Sequence, residues 1–126
     1  MLNKQAIHKA LTKGPLCKGT LTKTVGMARE YCAMAALCKG VGVGDKELEQ
    51  SSGSGEELWH DYGDKLRDAY GITSLEQFQS FMHVNDATEY STRRNNAVLS
   101  HVEALTAAEV DNILAAPVSA ETKVNI

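Results

Sequence analysis

Tyr31-Cys-Ala-Met-Ala-Ala-Leu-Cys38 is a run of eight apolar residues in a chain whose other segments are dominated by polar side chains. Only its opening tyrosine favours a strand, whereas alanine, methionine and leucine are strong helix formers. The run predicts a buried central helix over about Met27 to Lys39, closed by a C-terminal lysine and Gly40. Ala33, Ala35 and Ala36 would let neighbouring helix backbones approach it closely.

The segments on either side read as amphipathic helices that cover this one. Leu2, Ala6, Ile7, Ala10 and Leu11 recur at helical spacing and predict a first helix over 4–13. Asn3 is placed to cap it, Leu2 to staple onto Ile7, and Gly14-Pro15 to stop it. Leu16 to Val25 has no helical period and three threonines, which predicts a small β element or packed loop turning at Gly19. Residues 40–55 hold five of the ten glycines and three serines, a flexible Gly/Ser loop with room for one helical turn at Asp45–Gln50. Gly40-Val-Gly-Val-Gly44 lacks the Gly-Lys-Ser/Thr ending that a phosphate-cradling loop needs.

Ser54-Gly-Glu-Glu57, Ser74-Leu-Glu-Gln77 and Thr106-Ala-Ala-Glu109 each have the form of a capping box and predict three helix starts. Leu58, Tyr62, Leu66 and Ala69 mark the buried stripe of the first. Leu75, Phe78 and Met82 mark that of the second, and Val110, Ile113 and Leu114 that of the third. Between the last two, His83 to Ser91 reads as a polar loop and Thr92 to Leu105 as a separate helix. The fold class is therefore all-α: one compact domain over 1–116, with five or six helices around a central apolar helix and a small β element near 16–25. Residues 117–126, after the Pro117 stop, are expected to be a mobile or partner-bound tail.

Composition narrows the function classes. A length of 126 residues suits one domain with a real core. No apolar run approaches the roughly 20 residues of a membrane span, and the opening Met-Leu-Asn-Lys-Gln lacks the apolar core of a secretory signal. Three cysteines, an odd number in a chain that does not need disulfides, fit a reducing cytoplasm. The net charge of −3 conceals a split: seven Lys or Arg against one acid in residues 1–40, then six against fifteen in residues 41–126. That split suits either a basic face for an anionic partner or two halves that attract each other, and the second is favoured. Duplex nucleic acid is disfavoured because the lysines at 4, 9, 13, 18 and 23 lack interleaved aromatics and no helix-turn-helix pattern stands out.

Cys17-Lys-Gly19, Tyr31-Cys-Ala-Met-Ala-Ala-Leu37 and Val84-Asn-Asp-Ala87 with Ser91-Thr-Arg93 together resemble a family of small bacterial and phage proteins. That family is known as domain of unknown function 6197. Its pattern is a Cys/Trp-x-Gly element, a Cys-Ala-x-Gly-Ala-Leu helix, and an aromatic-Asn-Asp loop leading into Arg-Thr-x-x-Glu-Val. The resemblance covers about residues 5–105, with Ala35 where the pattern prefers Gly, His83-Val84 before Asn-Asp, and Asn96-Ala-Val98 where Glu-Val is expected. It implies the family's fold and a phage or bacterial source, and brings no activity with it.

The residues themselves suggest two chemistries. Arg93 and Arg94 stand in the first turn of a helix, where the macrodipole favours acids, so they are candidates for holding an anion there. Asn85, Asp86 and Asn96 complete that ligand-binding set, with pairing to nearby acids as the simpler reading of the arginines. Asn85-Asp86 also reads as a turn closure. The alternative is a cysteine-dependent hydrolase or transferase. Cys32 near a helix start would be its nucleophile, His83 its base, and Asn85 or Asp86 the orienter, against which stand the apolar neighbours of Cys32. No metal-ligand spacing is present, and no metal or cofactor is expected. The leading expectation is a non-enzymatic binding module for a protein partner or a small anionic, nucleotide-like ligand. A structural component forming a homo-oligomer is a third reading.

Overall fold

The structure, a computed structural model, describes residues 1–26, 28–50, 54–89 and 91–115. The expected tail over 117–126 lies outside the described residues. In chain order the elements are α1 (Lys4–Leu11), β1 (Thr22–Val25), β2 (Ala28–Tyr31), α2 (Ala33–Gly40), α3 (Asp45–Gln50), α4 (Gly55–Tyr70), α5 (Leu75–Ala87) and α6 (Ser91–Ala115). The domain is mainly helical with one two-stranded antiparallel sheet, as the all-α reading expects.

α2 occupies the centre. Every residue from Ala33 to Cys38 is buried, and the helix touches α1, α4, α5 and β2. Burying Leu37 and Met34 completely stabilises the fold by about 1.5–3 kcal/mol each. The alanines make the surrounding helices' close approach possible. Gly40 extends this at the helix end, where a Cβ would lie 2.1 Å from the Tyr70 hydroxyl. That hydroxyl donates to the Leu37 carbonyl at 2.6 Å, joining α4 to the last turn of α2.

Four expectations need correction. The central helix starts at Ala33 and not near Met27, because Ala28–Tyr31 pairs with Thr22–Val25 in the register Thr22↔Tyr31 to Val25↔Ala28. The hairpin turns at Gly26, whose φ of +62° suits glycine, and not at Gly19. Leu16 joins this sheet only through an isolated parallel bridge to Tyr31. The apolar run is continuous because the partly buried Tyr31 at the strand end leads directly into Cys32 and the buried helix, so hydrophobicity alone does not mark the handover at Cys32.

The stretch from His83 to Ala87 is the end of α5 and not a loop, and Thr88 caps it. Thr92–Leu105 and the segment after Thr106 are one continuous helix, α6. Thr106 Oγ1 donates to the Val102 carbonyl one turn back instead of capping a new start. By contrast, α4 and α5 start where expected, with Ser54 accepting from the Glu56 N–H, Ser74 accepting from the Gln77 N–H and Gln77 Oε1 accepting from the Thr73 N–H. Asn3 caps α1 by accepting from the Ala6 N–H. In the loop over 40–55, Val43 and Leu48 are buried in the core and α3 forms at the expected turn.

The charge split of the two halves is taken up in part by intramolecular pairs. Lys4 meets Glu103 at 2.9 Å, Lys18 meets Glu89 at 2.5 Å, Lys39 meets Asp45 at 3.0 Å, and Arg29 meets Glu49. Each joins the basic first forty residues to the acidic remainder. All are exposed or half-exposed, so solvent screens them and each adds little to stability. Lys9, Lys13 and Lys23 have no such acidic partner among the described residues.

Candidate functional site

The expected anion set is brought together in part, around the backbone of residues 14–19. Asn85 is fully buried in the last turn of α5, and its amide donates to the Cys17 carbonyl at 2.7 Å and to Asp86 Oδ1 at 2.9 Å. Asp86 Oδ1 also accepts from the Gly19 N–H at 3.2 Å. Arg94 is 5% exposed, with Nε on the Thr88 carbonyl and its two terminal nitrogens on the Leu16 and Glu89 carbonyls, all at 2.9–3.0 Å. Asn95 donates to the carbonyls of Leu11 and Gly14. These side chains fasten the segment after α1 onto α5 and α6. Arg93 and Asn96 are exposed residues of α6.

The arginine that looked misplaced at a helix start follows the dipole rule on another helix. Arg94 does not face the N–H groups of α6. It takes carbonyls just past the C-terminus of α5, the end where the macrodipole favours a cation. One polar atom stays without a partner in this latch: Asn85 Oδ1 is buried and accepts from nothing described.

Cys32, the candidate nucleophile, is the N-cap of α2. Its sulfur accepts from the Ala35 N–H at 3.4 Å, and it is 2% exposed. Burial pushes its thiol up to about 12, overcoming the lowering effect of the helix N–H groups. His83 is exposed on α5, and no hydrogen bond joins it to Cys32 among the described residues. Cys38 is likewise pushed up to about 12 by burial, and Cys17 is raised for the same reason. Among the described residues no three His, Cys, Asp or Glu side chains cluster as a metal site requires.

Ser80 and His101, 2.8 Å apart between α5 and α6, have the outline of a nucleophile and base that sequence spacing did not suggest. The Ser80 hydroxyl donates to the Gln77 carbonyl at 2.6 Å, so in this arrangement the imidazole Nε2 is the donor to Ser80. A histidine that gives a proton to the serine is not positioned as its base. Burial lowers the His101 pKa, and its ring meets Phe81 edge-on at 5.5 Å between centroids.

A concave feature that gathers cationic residues lies elsewhere, where the end of α1, β2 and α2 meet. Ala10, Leu16 and Ala36 form the apolar part of a cavity of about 150 Å³, with Pro15 and the Tyr31 ring beside them. Lys13 from the turn after α1, Arg29 from β2 and Lys39 from α2 are three cationic residues in its lining. A second cavity of about 180 Å³ adjoins through Ala10 and Lys13 and adds Lys9. Lys39 Nζ lies 5.5 Å from the Tyr31 ring centroid, and the Tyr31 hydroxyl donates to Asp45 at 2.6 Å. The Glu49 carboxylate raises the pKa of Arg29, and Asp45 raises that of Lys39, so both keep their charge. The Tyr31 hydroxyl and then Lys39 hold Asp45 below the usual carboxylate value.

Sequence reasoning did not assemble this set. Its trace in the sequence was the excess of cations in the first forty residues, but reading Arg29 as helical hid its place on β2. Among the described residues no helix is long and apolar enough to cross a membrane. No family model, curated protein or solved structure matches this chain.

Proposed function

We propose that the protein is a non-enzymatic binding module for a small anionic ligand, held in the cavity between α1, β2 and α2. The observation that carries this is the convergence of Lys13, Arg29 and Lys39 on an apolar cavity. A concave site with an apolar body and few placed charges is the usual form of a small-molecule site. Lys13 supplies a cation with no acidic partner among the described residues, while Arg29 and Lys39 add cationic groups already paired with Glu49 and Asp45. The resemblance in the Cys17–Gly19, Tyr31–Leu37 and Val84–Ala87 motifs supports a bacterial or phage source, and the small size and split charge of the chain support an accessory role there. The cysteine-enzyme reading has less support, because its nucleophile is a buried helix cap.

The test is an amide chemical-shift titration of the full chain with benzoate and, separately, inorganic phosphate. Saturable shifts confined to Lys13, Gly14, Arg29, Tyr31 and Lys39, lost in Lys13→Glu, are the expected result. An absence of saturable shifts with both probes, or shifts that persist unchanged in Lys13→Glu, would overturn the proposal.

A further inference from the structure

The two acids of α3 bear on what kind of anion the cavity accepts. Asp45 and Glu49 stand one helical turn apart, and each engages one of the three cavity cations: Asp45 the Lys39 ammonium, Glu49 the Arg29 guanidinium. Lys13, which reaches the cavity from the turn after α1, has no acidic partner among the described residues, and Lys9, one turn earlier on α1, has none either. The cavity is therefore electrically polar. Its α1 end carries unpaired positive charge, and its α3 end is neutralised by the protein's own carboxylates.

The space between the two ends is small. A volume of about 150 Å³ is the size that accepts a benzene ring, and Ala10, Pro15, Leu16, Tyr31 and Ala36 give this cavity its apolar walls. We infer that the ligand is a single-headed anion: one carboxylate-type head at Lys13 and a compact, uncharged apolar body lying against Leu16, Ala36 and the Tyr31 ring. Asp45 and Glu49 are its specificity-determining residues, because a second anionic group at the far end of the body would meet their charge in place of a free cation. This inference rests on the anion-binding reading above and adds the ligand's class to it.

Paired titrations separate the two. Benzoate and terephthalate share a ring and differ by a second carboxylate at the opposite end. With the full chain, terephthalate should bind at least about fivefold more weakly than benzoate, the effect of one unfavourable contact between screened charges. Glu49→Gln and Asp45→Asn, each checked for an unchanged thermal midpoint, should narrow that gap. Asp45→Asn keeps an acceptor for the Tyr31 hydroxyl, so it tests charge without removing that bond. Terephthalate binding as tightly as benzoate, or a gap unmoved by both variants, overturns the single-headed ligand while leaving anion binding intact. Phosphate binding at Lys13 without benzoate binding overturns the apolar body. Failure of all three probes removes the parent proposal, and this inference with it.

Discussion

The Arg94 guanidinium donates to the carbonyl of Leu16, 78 residues earlier in the chain, at 2.9 Å, while its other nitrogens hold the carbonyls of Thr88 and Glu89. One buried cation thus ties the crossing after α1 to the α5–α6 junction. Arg94→Met should destabilise the fold by about 3 kcal/mol or more, since it strands three carbonyls that had a charged donor. Arg94→Lys should recover less than half of that loss, because an ammonium cannot span three acceptors set in a fork. Urea unfolding of the two variants checks both expectations. A loss near zero for Arg94→Met would show that the latch adds nothing.

Gly40 and Tyr70 are coupled through space. A Cβ at Gly40 would lie 2.1 Å from the Tyr70 oxygen, whose hydrogen bond to Leu37 it would break. Gly40→Ala should cost about 1–3 kcal/mol in the native background. In a Tyr70→Phe background, where the oxygen is gone, the same substitution should cost clearly less. The double-mutant cycle reports the difference directly, and strict additivity would contradict the contact.

His101 gives the fold a predictable acid sensitivity. Burial lowers its pKa from the ordinary 6.5, so the unfolded chain takes up a proton that the folded chain resists. Its contribution is fully present above that ordinary value and is lost as pH falls through the lowered folded value. Unfolding free energies measured in a pH series from 7.5 down to about 5 should fall, and His101→Gln should flatten that slope. An unchanged slope in the variant would assign the acid sensitivity to other groups.

The thiols should be inert in the folded protein. Cys32 and Cys38 are 2% and 0% exposed and pushed up to about 12, so almost no thiolate is present near neutral pH. Reaction with an aromatic disulfide reagent at pH 8 should be slow for all three cysteines, and should become fast for all three in urea. Rapid labelling of Cys32 in the native protein would restore the cysteine-enzyme alternative.

Much of the architecture was legible because it depends on neighbours in sequence. Asn3, Ser54 and Ser74 bond to N–H groups two or three residues away, so their helix starts can be read locally. The apolar stripe of α1 and the apolar run of α2 report burial whatever covers them. The misread boundaries share another cause. Ala28–Tyr31 is a strand because Thr22–Val25 pairs with it, and α5 runs through Asn85 where that amide reaches Cys17, 68 residues away. A local reading sees an apolar helix and a polar turn there, because the partner that decides each case is distant in sequence.

The same distinction separates the two candidate sites. The sequence by itself determined a helical domain built on Tyr31–Cys38, a basic first third and an acidic remainder. Charge and periodicity are properties of the chain and survive any arrangement of its elements. Only the tertiary structure decided what those charges do. It spends Arg94 on backbone carbonyls, because a buried cation must be hydrogen-bonded. It seals Cys32 as a helix cap, and it folds three cations from α1's end, β2 and α2 around one small apolar cavity. Convergence of residues 13, 29 and 39 requires the crossing of three elements, and no spacing in the sequence encodes it.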